Sequence, residues 1–350
     1  LTRRRLITYG FNTIGNGAAP ERHVSARLPY VFTMTGYPRT ENALFRDFPD
    51  VFSDAFSRDA DRWAQQLLPV HDDRFLLGYF MTNEPQWAFV DGLDIGVQVL
   101  RDGRPSATRE ALIAHLRQRY GDAVDRLNAA WGSAFASFDD LRQPQDLRGC
   151  PESTVDTADF TVAAVERFVA IPARACRRYD PHHLNLGLRW AWVHSDYQFA
   201  GAEHLDAFSI NCYQLRPDPE AIARLVQRSG KPVLIGEFHI GSLDRGLPSG
   251  GIRNALTLAE SVRAYRYYLE QAATVPGLIG AHYFQWNDQH VMGRQDGENM
   301  QIGLHDITGR AYPEWVAACR AVHPRVYPLA AGAAQAEESA PEVVARGTLC

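Results

Sequence analysis

Two stretches decide how this chain is read: Leu76-Leu77-Gly78-Tyr79-Phe80-Met81-Thr82-Asn83-Glu84 and Lys231-Pro232-Val233-Leu234-Ile235-Gly236-Glu237-Phe238-His239. Each is a short, nearly continuous apolar run that exits onto a glutamate. Runs of this kind are the mark of strands buried on both faces, as in parallel sheets. A carboxylate at the exit of a buried strand is costly unless it is paired or used. Two such exits, 153 residues apart in sequence, point to one shared site.

Outward from these stretches, short apolar strands alternate with helical patterns. Strands are predicted at 11–16, 28–35, 75–82, 184–190, 205–211, 232–238 and 278–286, and helices at 54–68, 154–179, 218–229, 257–274 and 312–321. Residues 1–9 read as the end of a helix closed by Gly10. Strict strand–helix alternation implies an α/β fold, a (β/α)8 TIM barrel whose first strand would lie before residue 1. The barrel is expected over 1–328, with a helical insertion at 88–150 after its fourth strand. From 329 to 350 the chain is rich in Ala and Glu without periodicity, and a disordered tail is expected there. An open doubly wound sheet is the rival architecture, but no Gly-rich phosphate fingerprint follows any strand.

Hydrophobic residues make up 45% of the 350, enough for a sizeable core. A net charge of −5 argues against a nucleic-acid or anionic-membrane partner. The five cysteines, Cys150, Cys176, Cys212, Cys319 and Cys350, are scattered, with neither C-x-x-C spacing nor the clustering of a disulfide framework. His71, His182, His183 and His290 lack metal-ligand spacing, so no metal and no cofactor is expected. Nor is there a G-x-S-x-G elbow.

Active-site groups of a barrel lie at the C-terminal ends of its strands. Those ends carry Asn16, Asn83 with Glu84, Arg189 with Trp190, Asn211 with Tyr213, Glu237 with His239, and His282 with Trp286. This is a collar of amides, charges and aromatics suited to a sugar. Aromatic faces stack on the apolar face of a pyranose, and the polar groups bond its hydroxyls. Paired carboxylates without a metal motif point to glycoside hydrolysis, retaining if the carboxyl groups stand ~5–5.5 Å apart and inverting at ~6.5–9.5 Å. Asn83 is placed to bond a hydroxyl beside the scissile bond. Tyr213 and Arg189 are candidates to steady Glu237, and Trp286 is a candidate platform.

The motifs also resemble a known family. Asn83-Glu84 after a fourth strand and Glu237 after a seventh are similar to the clan A retaining glycoside hydrolases. Gly10-Phe11-Asn12-Thr13-Ile14-Gly15-Asn16, Leu77-Gly78-Tyr79-Phe80, Ile235 to Gly241 with Leu243-Asp244-Arg245-Gly246, Gly280 to Gln285, and Gly293-Arg294 followed by Asp296-Gly297-Glu298-Asn299 and Gln301-Ile302-Gly303 resemble glycoside hydrolase family 50, chiefly β-agarases. The resemblance implies Glu84 as acid/base, Glu237 as nucleophile, and Asp296, Glu298 and Asn299 close to the bound sugar. Trp87 stands near a family tryptophan and is taken with them as substrate-binding. It further implies an agarose-type galactan as partner, no cofactor, and a secreted or periplasmic location. Gly17-Ala18-Ala19, Pro85-Gln86, Leu247-Pro248-Ser249 and Met300 depart from the family pattern. Those changes keep open an exo-β-galactosidase acting on smaller galactosides, or a non-catalytic carbohydrate-binding barrel.

Overall fold

The computed structural model describes residues 2–16, 27–147 and 150–343. The departures at Gly17-Ala18-Ala19, the last residues of the predicted tail and Cys350 lie outside them. Among the described residues eight strands run in chain order: β1 (Tyr30–Thr33), β2 (Ala43–Phe45), β3 (Phe48–Pro49), β4 (Leu76–Phe80), β5 (Leu184–Asn185), β6 (Phe208–Asn211), β7 (Val233–Phe238) and β8 (Leu278–Tyr283). β1, β4 and β5 form one parallel sheet, and β6, β7 and β8 another. Single parallel bridges extend both, Ile14 to Tyr30 and Trp190 to Ile210. The chain is therefore mixed α/β, with its long strands parallel and neighbours in sequence order.

Several predicted strands are shorter than their apolar runs. The 11–16 stretch contributes one bridge, at Ile14, and the 184–190 stretch pairs as a strand only at Leu184–Asn185. Gly187 (φ +85°) and Arg189 (φ +52°) leave the extended region and break the ladder there. Gly78 has a steric reason to be glycine, because a Cβ on it would sit 2.3 Å from the Leu184 carbonyl oxygen. The sequence reading missed the antiparallel β2–β3 hairpin at 43–49, and also the helices at Ile95–Asp102 and Val326–Ala330.

The helices cover the strands by ordinary amphipathic logic. In α2 (Asp54–Ala64) the buried positions are Phe56, Ala60, Trp63 and Ala64, and the Ser53 side chain accepts the Phe56 N–H at its start. The insertion holds α3 (Ile95–Asp102), α4 (Ala107–Arg119) and α5 (Val124–Trp131). They pack on the long α6 (Pro151–Tyr179), which starts with proline at its first turn and stops before Asp180-Pro181. Asp156 of α6 ties the insertion down by accepting from Tyr120, Trp131 and Arg119.

Helix α7 (Pro219–Ser229) precedes β7, and α8 (Leu258–Ala273) opens on a Thr257/Glu260 capping box. The Tyr268 ring of α8 lies parallel to Phe238 at 4.0 Å, which fixes the end of β7 from outside. Two short helices, α9 (Pro313–Val322) and α10 (Val326–Ala330), follow. The expected disordered tail is contradicted as far as Glu337. Arg325 bonds the Gln335 carbonyl, and the Glu337 N–H reaches the buried Glu270 carboxylate on α8. An Ala/Glu segment without hydrophobic period is held here by polar contacts, which a periodicity reading does not see. Among the described residues, no helix is long and apolar enough to cross a membrane.

Candidate active site

The chain leaves β4 through a strained turn. Glu84 has φ +48°, in the left-handed region, and donates its N–H to the Arg189 carbonyl at 3.3 Å. Arg189 is itself at φ +52°. A non-glycine residue held there costs about 1–3 kcal/mol and persists only where its surroundings over-determine it. Part of that determination comes from the hairpin. Asp47, between β2 and β3, accepts the N–H groups of Gln86 and Trp87 at 3.0 and 2.7 Å.

β6 and β7 deliver the remainder. Arg189 Nη2 donates to Glu237 Oε1 at 2.5 Å and to the Gly236 carbonyl at 3.0 Å. Gly236 makes that approach possible, since a Cβ on it would lie 2.6 Å from Arg189 Nε. The Tyr213 hydroxyl donates to Glu237 Oε2 at 2.5 Å. Asn211 Nδ2 serves both glutamates, at 2.6 Å to Glu84 Oε1 and 3.3 Å to Glu237 Oε2. Those two oxygens are thus no more than about 5.9 Å apart, the two contacts laid end to end. Asn83 Oδ1 stands 3.4 Å from the same amide nitrogen.

The environments of the two carboxyl groups differ. Burial raises the Glu84 pKa above the ordinary carboxylic range, the neighbouring Glu237 adds to this, and the Asn211 bond opposes it. Glu237 instead accepts from a guanidinium, a phenol and an amide, all partners of an ionised carboxylate. Burial, then the Glu237 charge, pushes the Tyr213 phenol up, so it stays a donor. His239, packed against Tyr213, is lowered to about 3 by burial, and its Nε2 accepts the Ile252 N–H. His282 is lowered to about 4, by burial and then by Arg189.

The segment after β8 folds back over this end of the strands. Arg294 pairs with Asp296 at 2.5 Å and Glu298 at 2.9 Å, and its guanidinium lies over the Phe284 ring. Glu298 also accepts from Gln289, and Asn299 reaches the Val291 carbonyl. Glu298 is near enough to act on the charge of Glu84, and Arg294 on that of Glu237.

Of the residues singled out from sequence, Glu84, Glu237, Asn83, Arg189 and Tyr213 form one hydrogen-bonded cluster, with His239 against Tyr213 and His282 beside Arg189. Asn16 accepts from Thr33 on the neighbouring strand. Trp286 is half-buried and packs with Tyr9 and His305, whose rings also adjoin each other. Trp87 is a correction, because it is wholly buried among Phe48, Phe168 and Trp190 and offers no face to a ligand. The Pro85 turn sends it inward. Sequence reasoning passed over Asp47, whose role rests on an unforeseen hairpin, and underrated Asn211, which was visible only as one amide of the collar. A surface group of Glu166, Glu203 and His204 could approach a metal ion, but it is not part of this cluster.

Parallel strands that bring two glutamates to one amide, in unlike environments, make a two-carboxylate arrangement of the kind glycoside hydrolases use. Comparisons with known proteins agree. The sequence model of glycoside hydrolase family 42, described as beta-galactosidase, matches residues 101–233. Beta-agarase B of Vibrio sp. (strain JT0107) is 29% identical over 346 residues, 94% of this chain and 36% of that protein. A solved exo-beta-agarase superposes with a TM-score of 0.85 at 28% identity, over 94% of this chain and 46% of its own. A second solved agarase gives 0.85 at 27% identity, over 94% and 49%. The chain is thus similar to β-agarases along nearly its whole length, and it spans about a third of the length of the curated relative.

Proposed function

We propose that this chain is the catalytic unit of a retaining glycoside hydrolase that cleaves β-1,4-galactosidic bonds of agarose or agaro-oligosaccharides. The observation that carries the reading is the Asn211 amide shared by Glu84 and Glu237, which keeps one oxygen of each within about 5.9 Å of the other. So close a pair supports the short spacing of retention over the wider spacing of inversion. Glu237 attacks the anomeric carbon while protonated Glu84 gives its proton to the leaving oxygen. In the second step Glu84 takes a proton from water, and the resulting hydroxide displaces Glu237 and regenerates both groups. Burial of Glu84 supports the acid role, and the donors around Glu237 support the nucleophile role.

The strands are proposed to curl into a barrel of the (β/α)8 type. Val31, Phe80, Leu186, Ala207 and Leu234 form a cluster apart from the main core, as an enclosed interior does. In addition, a Cβ on Gly15, beside the first bridge, would touch His282 of β8.

The test is incubation with an activated 2-deoxy-2-fluoro-β-galactoside, followed by peptide mass mapping. A stable adduct on Glu237 is expected, together with retained anomeric configuration on agaro-oligosaccharides. Full activity in Glu237→Gln refutes the assignment. The beta-galactosidase match over 101–233 favours a second reading, an exo-β-galactosidase. Preference for an aryl β-galactoside over agarose identifies it, while saccharide binding without any turnover identifies a non-catalytic barrel.

A further inference from the structure

The loops that leave Glu84 and Arg189 meet again farther out. Phe89 and Trp192 pack edge to face at 4.7 Å, yet they stay 37% and 42% exposed. The pair is anchored. His194 Nε2 bonds the Ala88 carbonyl at 2.9 Å, Gln198 donates to the Trp192 carbonyl at 3.0 Å, and the His194 ring leans on both Trp192 and Tyr197. Exposed aromatic surface is ordinarily lost to solvent contact, and here it is held in one orientation with its ordering cost already met. Trp192 is three residues beyond Arg189, so their Cα atoms are within about 11 Å of each other. Asp91, exposed on the companion loop, stands 3.7 Å from His194, and Asn83 is exposed nearer the start of that loop.

We infer that Trp192, backed by Phe89, is a stacking platform for a sugar unit on the leaving-group side of the scissile bond. This rests on the glycosidase reading above. The proton donor of a two-carboxylate site stands on the side of the departing oxygen. Both loops start where Glu84 and its backbone partner Arg189 sit, so the platform lies on that side. The occupant is a pyranose of the leaving oligosaccharide, its apolar face on the indole and its hydroxyls toward Asp91 and Asn83.

The experiment compares kcat/KM for agaro-oligosaccharides of increasing length with that for β-galactosyl fluoride, whose leaving group is too small to reach the platform, in wild type, Trp192→Ala and Trp192→Phe. In Trp192→Ala the long-to-short ratio falls about tenfold, and Trp192→Phe recovers much of it. Because the readout is a ratio, a general loss of folded enzyme cancels. An unchanged ratio overturns the platform. If wild type turns over neither substrate, the glycosidase reading fails by itself. The platform is then decided by calorimetric titration with agaro-oligosaccharide, where equal affinity in wild type and Trp192→Ala overturns it.

Discussion

Replacing Glu237 with Gln removes the negative charge whose proximity helps to raise the Glu84 pKa, while leaving the shape of the site nearly unchanged. Two unit charges about 6 Å apart, at the effective dielectric of about 20 that suits such sites, repel by about 3 kcal/mol. Water at the mouth of the site weakens the interaction, so that energy is an upper bound and a downward move of the Glu84 pKa is expected. The sign is fixed. Loss of a neighbouring anion makes ionised Glu84 easier to form, so its pKa falls toward the ordinary carboxylic value but stays above it, because burial remains. The assay is a 13C-NMR or infrared titration of the Glu84 carboxyl in the inactive variant, against wild type. No change, or a rise, refutes the claim that the two carboxylates are coupled through this geometry. The same drop is expected when Glu237 is esterified in a glycosyl-enzyme. It would turn Glu84 from acid to base midway through the cycle.

Tyr213→Phe removes a 2.5 Å hydrogen bond to Glu237. A bond to a charged group is worth about 1.5–3 kcal/mol, so kcat falls about 10- to 100-fold while circular dichroism stays native. Trp87→Ala hollows a fully packed aromatic cluster, and a stability loss of about 3–5 kcal/mol by denaturant titration is expected. If Trp87 contacted sugar instead, KM would change and stability would not. His239, held neutral down to about pH 3, should show no change in its ring 15N shifts between pH 5 and 8.

The two glutamate-bearing strands were legible in the sequence because both end in an abrupt change from apolar run to carboxylate, and burial makes that change informative. Most helix limits were also close to the sequence reading, since caps such as Thr257 with Glu260 announce themselves. The collar gave residue types but not their order of importance. Asn211 holds the site together only because β6 and β7 pair in register, with Asn211 opposite Glu237. Asp47 depends on a short hairpin with no hydrophobic period to reveal it. Trp87 misled because its place after Asn83-Glu84 matched an expected pattern, whereas the turn at Pro85 directs it into the core. The tail to Glu337 was misread for the opposite reason, as buried Glu270 binds it through polar groups that composition does not weigh.

The left-handed backbone at Glu84 has a consequence for stability. Glycine or asparagine fits φ +48° with less strain than glutamate, so Glu84→Gly or Glu84→Asn should unfold at a higher temperature than wild type while losing the proton donor. Stability and the proposed proton transfer thus pull this one position in opposite directions, and thermal endurance here is given up for the placement of a carboxyl group.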